Sequence, residues 1–281
     1  LDEQLVHTFI QHALAEDVGD GDHTSLSTIA TGITGKARLL VKDDGILAGV
    51  ELALEIFKEI DPQIQVSVYL HDGAPIKHGD VALEVAGSVH SILKAERLVL
   101  NCMQRMSGIA TKTHQIMQLL QGTHTKVLDT RKTTPNFRYF EKWAVQIGGG
   151  ANHRFALYDM ILIKDNHVDY SGGIQNAITN AQQYLKDTGR KLQIEIEVRN
   201  LTELQQALDA GGIDRIMFDN FNLDDLRKGI AMVNGQYATE ASGGITTETI
   251  RGYAECGVDY ISVGALTHSV KSLDLSLKAV K

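Results

Sequence analysis

Between positions 126 and 167 the chain carries seven lysines and arginines against four acids, a local excess of cations in a protein whose net charge is -8. Such a segment attracts anions. Within it, "TRKTTP" places Arg131 and Lys132 among hydroxyls directly after a β-type run. Arginine offers a planar fork to a carboxylate or phosphate, and lysine offers a point charge. An isolated Arg-Lys pair is more often a solvated turn, but here further groups follow it. "GGGANHR" joins Gly148, Gly149 and Gly150, which either let backbone amides approach a ligand or form a plain tight loop, to His153 and Arg154. A lone histidine is more often hydrogen-bonded to backbone than catalytic.

Later runs end at Lys164, near Glu197 and at Asp219. Two carboxylates at neighbouring strand ends suit Mg²⁺, held directly or through water, or the positive charge that develops on a sugar carbon. They equally suit salt bridges to Lys132 and Lys164. "EASGGI", with Ser242, Gly243 and Gly244, and "SVGALTHS", with Gly264, read as the last two βα loops of a barrel. Backbone amides and a helix N-terminus at that place often hold a phosphate.

Groups so scattered along the chain meet only if strands deliver them to one end of a sheet. Seven β-type runs alternate with helical segments: "KVLD", "AVQIG", "MILIK", "IEIEV", "RIMFD", "YATEAS" and "YISVG". The last four end 22, 23 and 22 residues apart, the spacing of a repeating βα unit. Seven such units predict a parallel barrel with its chemistry at the strand C-termini.

The preceding region has a different texture. Leu5, Phe9, Ala13 and Leu14 share a helical face that ends at Gly19 to Gly21. "GKARLLVKDDGILAG" reads as two strands turning at Asp43-Asp44-Gly45, followed by a helix through "VELALEIFKEI" and strands near 64–70 and 80–86. From 88 to 121 the spacing predicts two long helices broken at Ser107-Gly108, with a domain boundary near the break. The predicted fold class is α/β: an α+β domain over 1–108, then a seven-stranded parallel α/β barrel over 109–269. A C-terminal helix over 270–281 is expected to pack back on the first domain.

With 43% hydrophobic and 22% charged residues, the composition is that of a soluble globular protein. The acidic balance argues against a nucleic-acid-binding surface. No run approaches the roughly 18 apolar residues of a membrane span, and the first fifteen residues hold no targeting pattern. The two distant cysteines, Cys102 and Cys256, fit a reducing cytoplasm without disulfides or structural zinc. His71, His78, His114 and His124 lack metal-ligand spacing. Asp43 and Asp44 lack the hydroxyl and glycine residues of a diphosphate-binding loop and read as a hairpin turn.

Together, "LAEDVGDGDHTS", "ERLVLNCMQRMSGIAT", "DTRKTTP", "EKWAVQIGGGANHR", "LIKDNH", "IEIEV", "MFDNF", "ASGGI" and "SVGALTHS" resemble the quinolinate phosphoribosyltransferases along nearly the whole chain. The family is also called carboxylating nicotinate-nucleotide pyrophosphorylase. The resemblance implies an N-terminal α/β open sandwich and a seven-stranded barrel. It also implies a cytoplasmic homodimer that joins quinolinate to phosphoribosyl pyrophosphate with Mg²⁺. The products would be nicotinate mononucleotide, pyrophosphate and carbon dioxide, in de novo NAD biosynthesis.

Carried over by residue, the resemblance assigns quinolinate to Arg131, Thr133, His153, Arg154 and Lys164, with Arg97 reaching across from the partner subunit. Lys132 would lie between the substrates, and Glu197 and Asp219 would face ribose and metal. Lys132, Lys164, Glu197 and Asp219 are the expected catalytic set. Ser242, Gly243, Gly244, Val263, Gly264 and Ala265 would wrap the 5-phosphate. The pattern departs from the family at Asn136 and Gln146. Two other readings use the same groups: a nicotinate phosphoribosyltransferase, and a non-catalytic sensor of a phosphorylated metabolite.

Overall fold

The computed structural model describes residues 2–280. In chain order its elements begin with α1 (Glu3–Asp17), α2 (His23–Thr28), β1 (Thr34–Val41), β2 (Gly45–Ile46), α3 (Val50–Ile60), β3 (Gln65–Val68), β4 (Pro75–Ile76), β5 (Val81–Ser88) and α4 (Val89–Leu119). There follow β6 (Lys126–Leu128), α5 (Arg138–Ile147), β7 (Ile161–Ile163), α6 (Asp165–Ser171), α7 (Ile174–Thr188), β8 (Ile194–Val198) and α8 (Leu201–Ala210). The chain closes with β9 (Arg215–Asp219), α9 (Leu223–Val233), β10 (Ala238–Ser242), α10 (Ile250–Glu255), β11 (Tyr260–Ser262), α11 (Ala265–His268) and β12 (Leu275–Val280). By their contacts the described residues form two units, one of 2–114, 133–149 and 268–280, the other of 115–132 and 150–267.

The first unit is built on an antiparallel sheet in the order β12-β1-β5-β3. Alternation along β1 buries Ala37, Leu39 and Val41, and α3 buries Val50, Leu52, Ala53, Ile56 and Phe57 at helical spacing. Asp2 caps α1 by accepting the Leu5 N–H, and Asp22 caps α2 by accepting that of Ser25. Among these residues β1 and β2 do not form the expected hairpin: β1 pairs with β12 and β5, and β2 pairs with β4. The two aspartates tie separate segments instead. Asp43 Oδ2 accepts the Asp274 N–H at 3.1 Å, and Asp44 Oδ1 accepts that of His78 at 2.9 Å.

The expected break at Ser107-Gly108 is absent, and α4 runs unbroken for 31 residues. Both residues serve close packing from within the helix. Ser107 is fully buried, accepts the Ala48 N–H at 2.9 Å and donates to the Ala48 carbonyl at 3.1 Å. A Cβ on Gly108 would collide with the Lys271 carbonyl, so glycine admits that backbone. The segment 270–281 is likewise not a helix in its described part. Leu275 and Leu277 are buried at period two, and β12 joins the edge of the sheet against β1.

"AVQIG" is also corrected, because it belongs to α5 and not to a strand. A five-residue apolar run is ambiguous by itself, but Phe140 and Ala144 are buried four residues apart, and Glu141 and Lys142 are buried beside them. Phe140 packs against Phe9 and Phe137 with ring centroids 4.6 and 5.1 Å away. Buried Glu141 receives Arg105 at 2.9 Å and the Thr134 amide at 3.1 Å, which anchors the end of "TRKTTP". This stretch, 133–149, clusters with the first unit.

The second unit contains, among the described residues, a barrel-like parallel sheet of six strands in the order β6-β11-β10-β9-β8-β7. Seven strands were expected. The seventh place is reduced to one parallel bridge, in which Ala151 N–H donates to the Val127 carbonyl at 2.9 Å. Glycines on one side and His153 on the other leave Ala151 no apolar run with which to extend a strand.

Register places Glu195 beside Arg215, Glu197 and Glu240 beside Met217, and Ser242 beside Asp219, so the polar residues of β8, β9 and β10 share one face. The alternate residues Ile196, Val198, Ile216, Phe218 and Ala241 are buried on the other. Gly229 of α9 packs against the Phe218 ring there. A sheet covered by helices on one face and filled by its own side chains on the other collects polar groups at the strand ends.

Candidate active site

The C-terminal ends of these strands carry most of the expected chemistry. After β6, Asp129 is fully buried and Arg131 and Lys132 are exposed. Lys132 is held by its backbone: its N–H donates to Thr130 Oγ1 at 3.1 Å, and its carbonyl accepts Thr267 Oγ1 at 2.9 Å. The side chain is thereby launched from a fixed point between the β6 and β11 loops.

Asp129 Oδ1 accepts the His153 N–H at 2.9 Å, linking the β6 end to the Ala151 bridge. Next in the chain, the Arg154 guanidinium donates from Nη1 to the Met160 carbonyl at 3.1 Å. Burial and then the charge of Arg131 press the Arg154 guanidinium toward its neutral form. Two guanidiniums close enough to repel form a place for an anion.

At the end of β7, Lys164 Nζ stands 3.3 Å from Glu197 Oε2; the lysine is exposed and the glutamate buried. Asp219 ends β9, and Asn220 follows it in the left-handed region at φ 55°. Asn220 Nδ2 donates to Asp219 Oδ2 at 2.9 Å, and the Asn220 N–H donates to the Ser242 carbonyl at 2.9 Å. Gly243, at φ 95°, lies so close to Asn220 that a Cβ would collide with its side-chain oxygen. The Val263 N–H donates to the Leu128 carbonyl at 2.9 Å, bringing Gly264 and Ala265 to the β6 end.

The expected residues are not all delivered to this sheet. Arg97 on α4 and Thr133 belong to the first unit. Thr133 Oγ1 accepts Arg138 Nε at 2.9 Å, and Arg97 Nη1 donates to Asn101 at 3.4 Å. Of the seven cations counted in the basic segment, Arg138 and Lys142 lie on α5, the latter buried. His153 sits at the right place in the chain, but its imidazole points to the sheet interior, with Nε2 3.0 Å from Glu195 and 3.5 Å from Glu240.

Sequence reasoning passed over Asn220, Glu195, Arg215 and Glu240. The alternation rule held the signal, since each of the last three stands two or four residues before Glu197, Asp219 or Ser242 and so shares its face.

Comparisons with known proteins give the family. The model of the quinolinate phosphoribosyl transferase C-terminal domain matches residues 109–278, and that of the N-terminal domain matches residues 22–107. The chain belongs to the quinolinate phosphoribosyltransferase family. It is 43% identical to the decarboxylating quinolinate phosphoribosyltransferase 2a, mitochondrial, of Nicotiana tabacum, over 96% of this chain and 80% of that one. It is also 43% identical to the probable carboxylating nicotinate-nucleotide pyrophosphorylase of Bacillus subtilis (strain 168), over 95% of this chain and 91% of that one. The crystal structure of NadC from Streptococcus pyogenes superposes with a TM-score of 0.94 at 38% identity, covering 100% of this chain and 99% of that one. Among the described residues, no helix is long and apolar enough to cross a membrane.

Proposed function

We propose that this quinolinate phosphoribosyltransferase family member joins quinolinate to phosphoribosyl pyrophosphate with loss of carbon dioxide, giving nicotinate mononucleotide and pyrophosphate in de novo NAD biosynthesis. The observation that carries the reading is the gathering of Arg131, Arg154 and Lys164 with Glu197 and Asp219 at the ends of one sheet. A dicarboxylate needs more than one cation, and a cationic sugar needs a carboxylate. A single site supplies both.

In this reading Arg131, Arg154 and Lys164 hold the two carboxylates and orient the pyridine nitrogen toward the ribose C1. The nitrogen forms the new C–N bond as the C1–O bond to pyrophosphate breaks. Glu197 and Asp219 face the positive charge that develops on the sugar, and Lys132 faces the negative charge that gathers on the leaving group. Positioning and electrostatics do most of the work, and no side chain forms a covalent intermediate. The backbone amides of Gly243, Gly244, Gly264 and Ala265 donate to the 5-phosphate, beside Ser242 and Val263. Once the ring nitrogen is cationic, the neighbouring carboxylate leaves as carbon dioxide, and the electron pair left on carbon is stabilised by the adjacent charge until a proton replaces it.

Glu197 and Asp219 also form a donor set that fits Mg²⁺, an ion bound through one or two carboxylates and completed by waters and substrate phosphates. When bound, it offsets charge on the pyrophosphate. The inward-turned imidazole gives His153 a role beneath the quinolinate site. The protein acts as a homodimer in the cytoplasm, with Arg97 reaching into the partner's site and Thr133 supporting the loop after Lys132.

The test is to supply phosphoribosyl pyrophosphate and Mg²⁺ with either quinolinate or nicotinate and to follow carbon dioxide and mononucleotide together. Equal amounts of both products from quinolinate alone are expected. Turnover of nicotinate, or of neither compound, overturns the reading.

A further inference from the structure

Beneath the strand ends, the sheet interior holds a cluster of charges where branched aliphatic side chains commonly fill a barrel. Glu195 on β8 and Glu240 on β10 are fully buried, and Arg215 enters between them from β9. Arg215 Nη1 lies 3.1 Å from Glu240 Oε2 and 4.0 Å from Glu195 Oε2, and its guanidinium carbon stands 4.5 Å from the Tyr260 ring centroid. The His153 imidazole completes the group, with Nε2 3.0 Å from Glu195 and 3.5 Å from Glu240. Burying such charges costs more than apolar packing would, so stability alone does not account for them.

The other imidazole nitrogen shows what the cluster acts on. Nδ1 accepts the Arg154 backbone N–H at 2.7 Å. A ring whose Nδ1 accepts carries its proton on Nε2, the nitrogen that faces the carboxylates. Glu195 and Glu240 stand within ion-pair distance of Nε2, and a negative field there favours the tautomer that can hold Arg154, while Arg215 donates to Glu240 Oε2 at 3.1 Å. Where that field is removed the proton moves to Nδ1 more readily, and the bond to Arg154 is weakened. Glu195 also attracts Arg154 and Lys164 electrostatically from below, offsetting the repulsion between neighbouring cations.

We propose that Glu195, Glu240 and Arg215 are positioning residues that act through His153 to set Arg154 for one carboxylate of the aromatic substrate. The proposal rests on the quinolinate reading above. It assigns the cluster to the affinity for that substrate, because His153 Nδ1 accepts the backbone N–H of Arg154.

Steady-state kinetics of Glu240→Gln and Glu195→Gln, each shown to be folded by its unfolding midpoint, test it. KM for quinolinate is expected to rise by about tenfold to a hundredfold, the scale of a misplaced binding group, while KM for phosphoribosyl pyrophosphate stays near that of the parent. If Glu195→Gln does not fold, the isosteric Glu240→Gln, assayed above about pH 8 where the parent carboxyl is ionised, carries the same test. A double-mutant cycle on quinolinate affinity, read by calorimetry, should show that Glu240→Gln adds little once Arg154→Ala is present.

Unchanged quinolinate KM in folded variants, an equal rise in both KM values, or additive effects in the cycle would each overturn the proposal. His153, Glu195 and Glu240 also offer ligand atoms within 4.8 Å of one another, so one equivalent of metal retained there by the purified protein would overturn it too. Failure of the parent protein to turn over quinolinate would instead remove the functional reading itself.

Discussion

Asn220 donates its side-chain amide to Asp219 at 2.9 Å from a backbone held at φ 55°, while its own N–H reaches the Ser242 carbonyl. One residue thus fixes a carboxylate proposed to face the ribose and the loop proposed to hold its phosphate. Asn220→Gly keeps access to the left-handed conformation and removes the amide, whereas Asn220→Ala removes the amide and adds strain. Turnover is expected to fall by about tenfold or more in both, with Asn220→Ala also less stable. Rates and unfolding midpoints of the two variants check this, and a fully active Asn220→Gly would show that the amide is dispensable.

Lys164 and Glu197 face each other at 3.3 Å, and Lys132 hangs from a backbone pinned to Thr267. Lys132→Ala and Glu197→Ala are expected to lower kcat more than they raise KM for quinolinate, because both are proposed to act on charge that develops during the reaction. Arg131→Ala is expected mainly to raise that KM. Equal losses in both constants for all three variants would contradict the division of roles.

Arg97 lies on a helix of the first unit, and its proposed site is the partner's. Inactive Arg97→Ala and Lys164→Ala proteins, mixed under conditions that exchange subunits, should recover part of the activity, since one of the two sites in a mixed dimer is then intact. Proven exchange without recovery would place Arg97 outside the site.

Burial, and then the charge of Glu195, push the Glu240 carboxyl from its ordinary value of 4.5 up to about 8. The folded state therefore binds this proton more tightly than the unfolded chain does. The stability it contributes is complete below pH 4.5 and is lost as the pH rises through about 8. Unfolding midpoints should decline across that window, and Glu240→Gln should flatten the decline. A slope identical in the variant would assign the pH dependence elsewhere.

Gly108 admits the Lys271 backbone against α4. Gly108→Ala improves intrinsic helix propensity by roughly 1 kcal/mol, yet the collision at this site is expected to reverse the sign and cost about 1–3 kcal/mol. Urea unfolding measures the outcome, and a stabilised variant would show that the 271–272 backbone yields.

Much of the candidate site was legible because polar groups at strand ends leave a trace in one dimension. Arg131, Lys132, Lys164, Glu197, Asp219 and Ser242 each close or follow a short β-type run, and the near-equal spacing of the later runs reflects the length of one βα unit. The α1 helix and the helix through "VELALEIFKEI" were equally legible, since each is set by neighbours within a few residues.

What the chain order could not decide was which partner each segment would meet. "AVQIG" satisfies strand and helix patterns alike until Phe9 and Phe137 close on Phe140. Gly108 reads as a helix break until the Lys271 backbone occupies the space a side chain would have filled. "LSLKAV" becomes a strand because the edge of β1 is open to it, 234 or more positions earlier in the chain (275 − 41). The "GGGANHR" motif marks the turn that carries His153, and only the buried glutamates of β8 and β10 show that its imidazole turns inward. Local residue types determined where the chemistry stands, and long-range packing decided which way each group points, because orientation depends on atoms the neighbouring sequence does not contain.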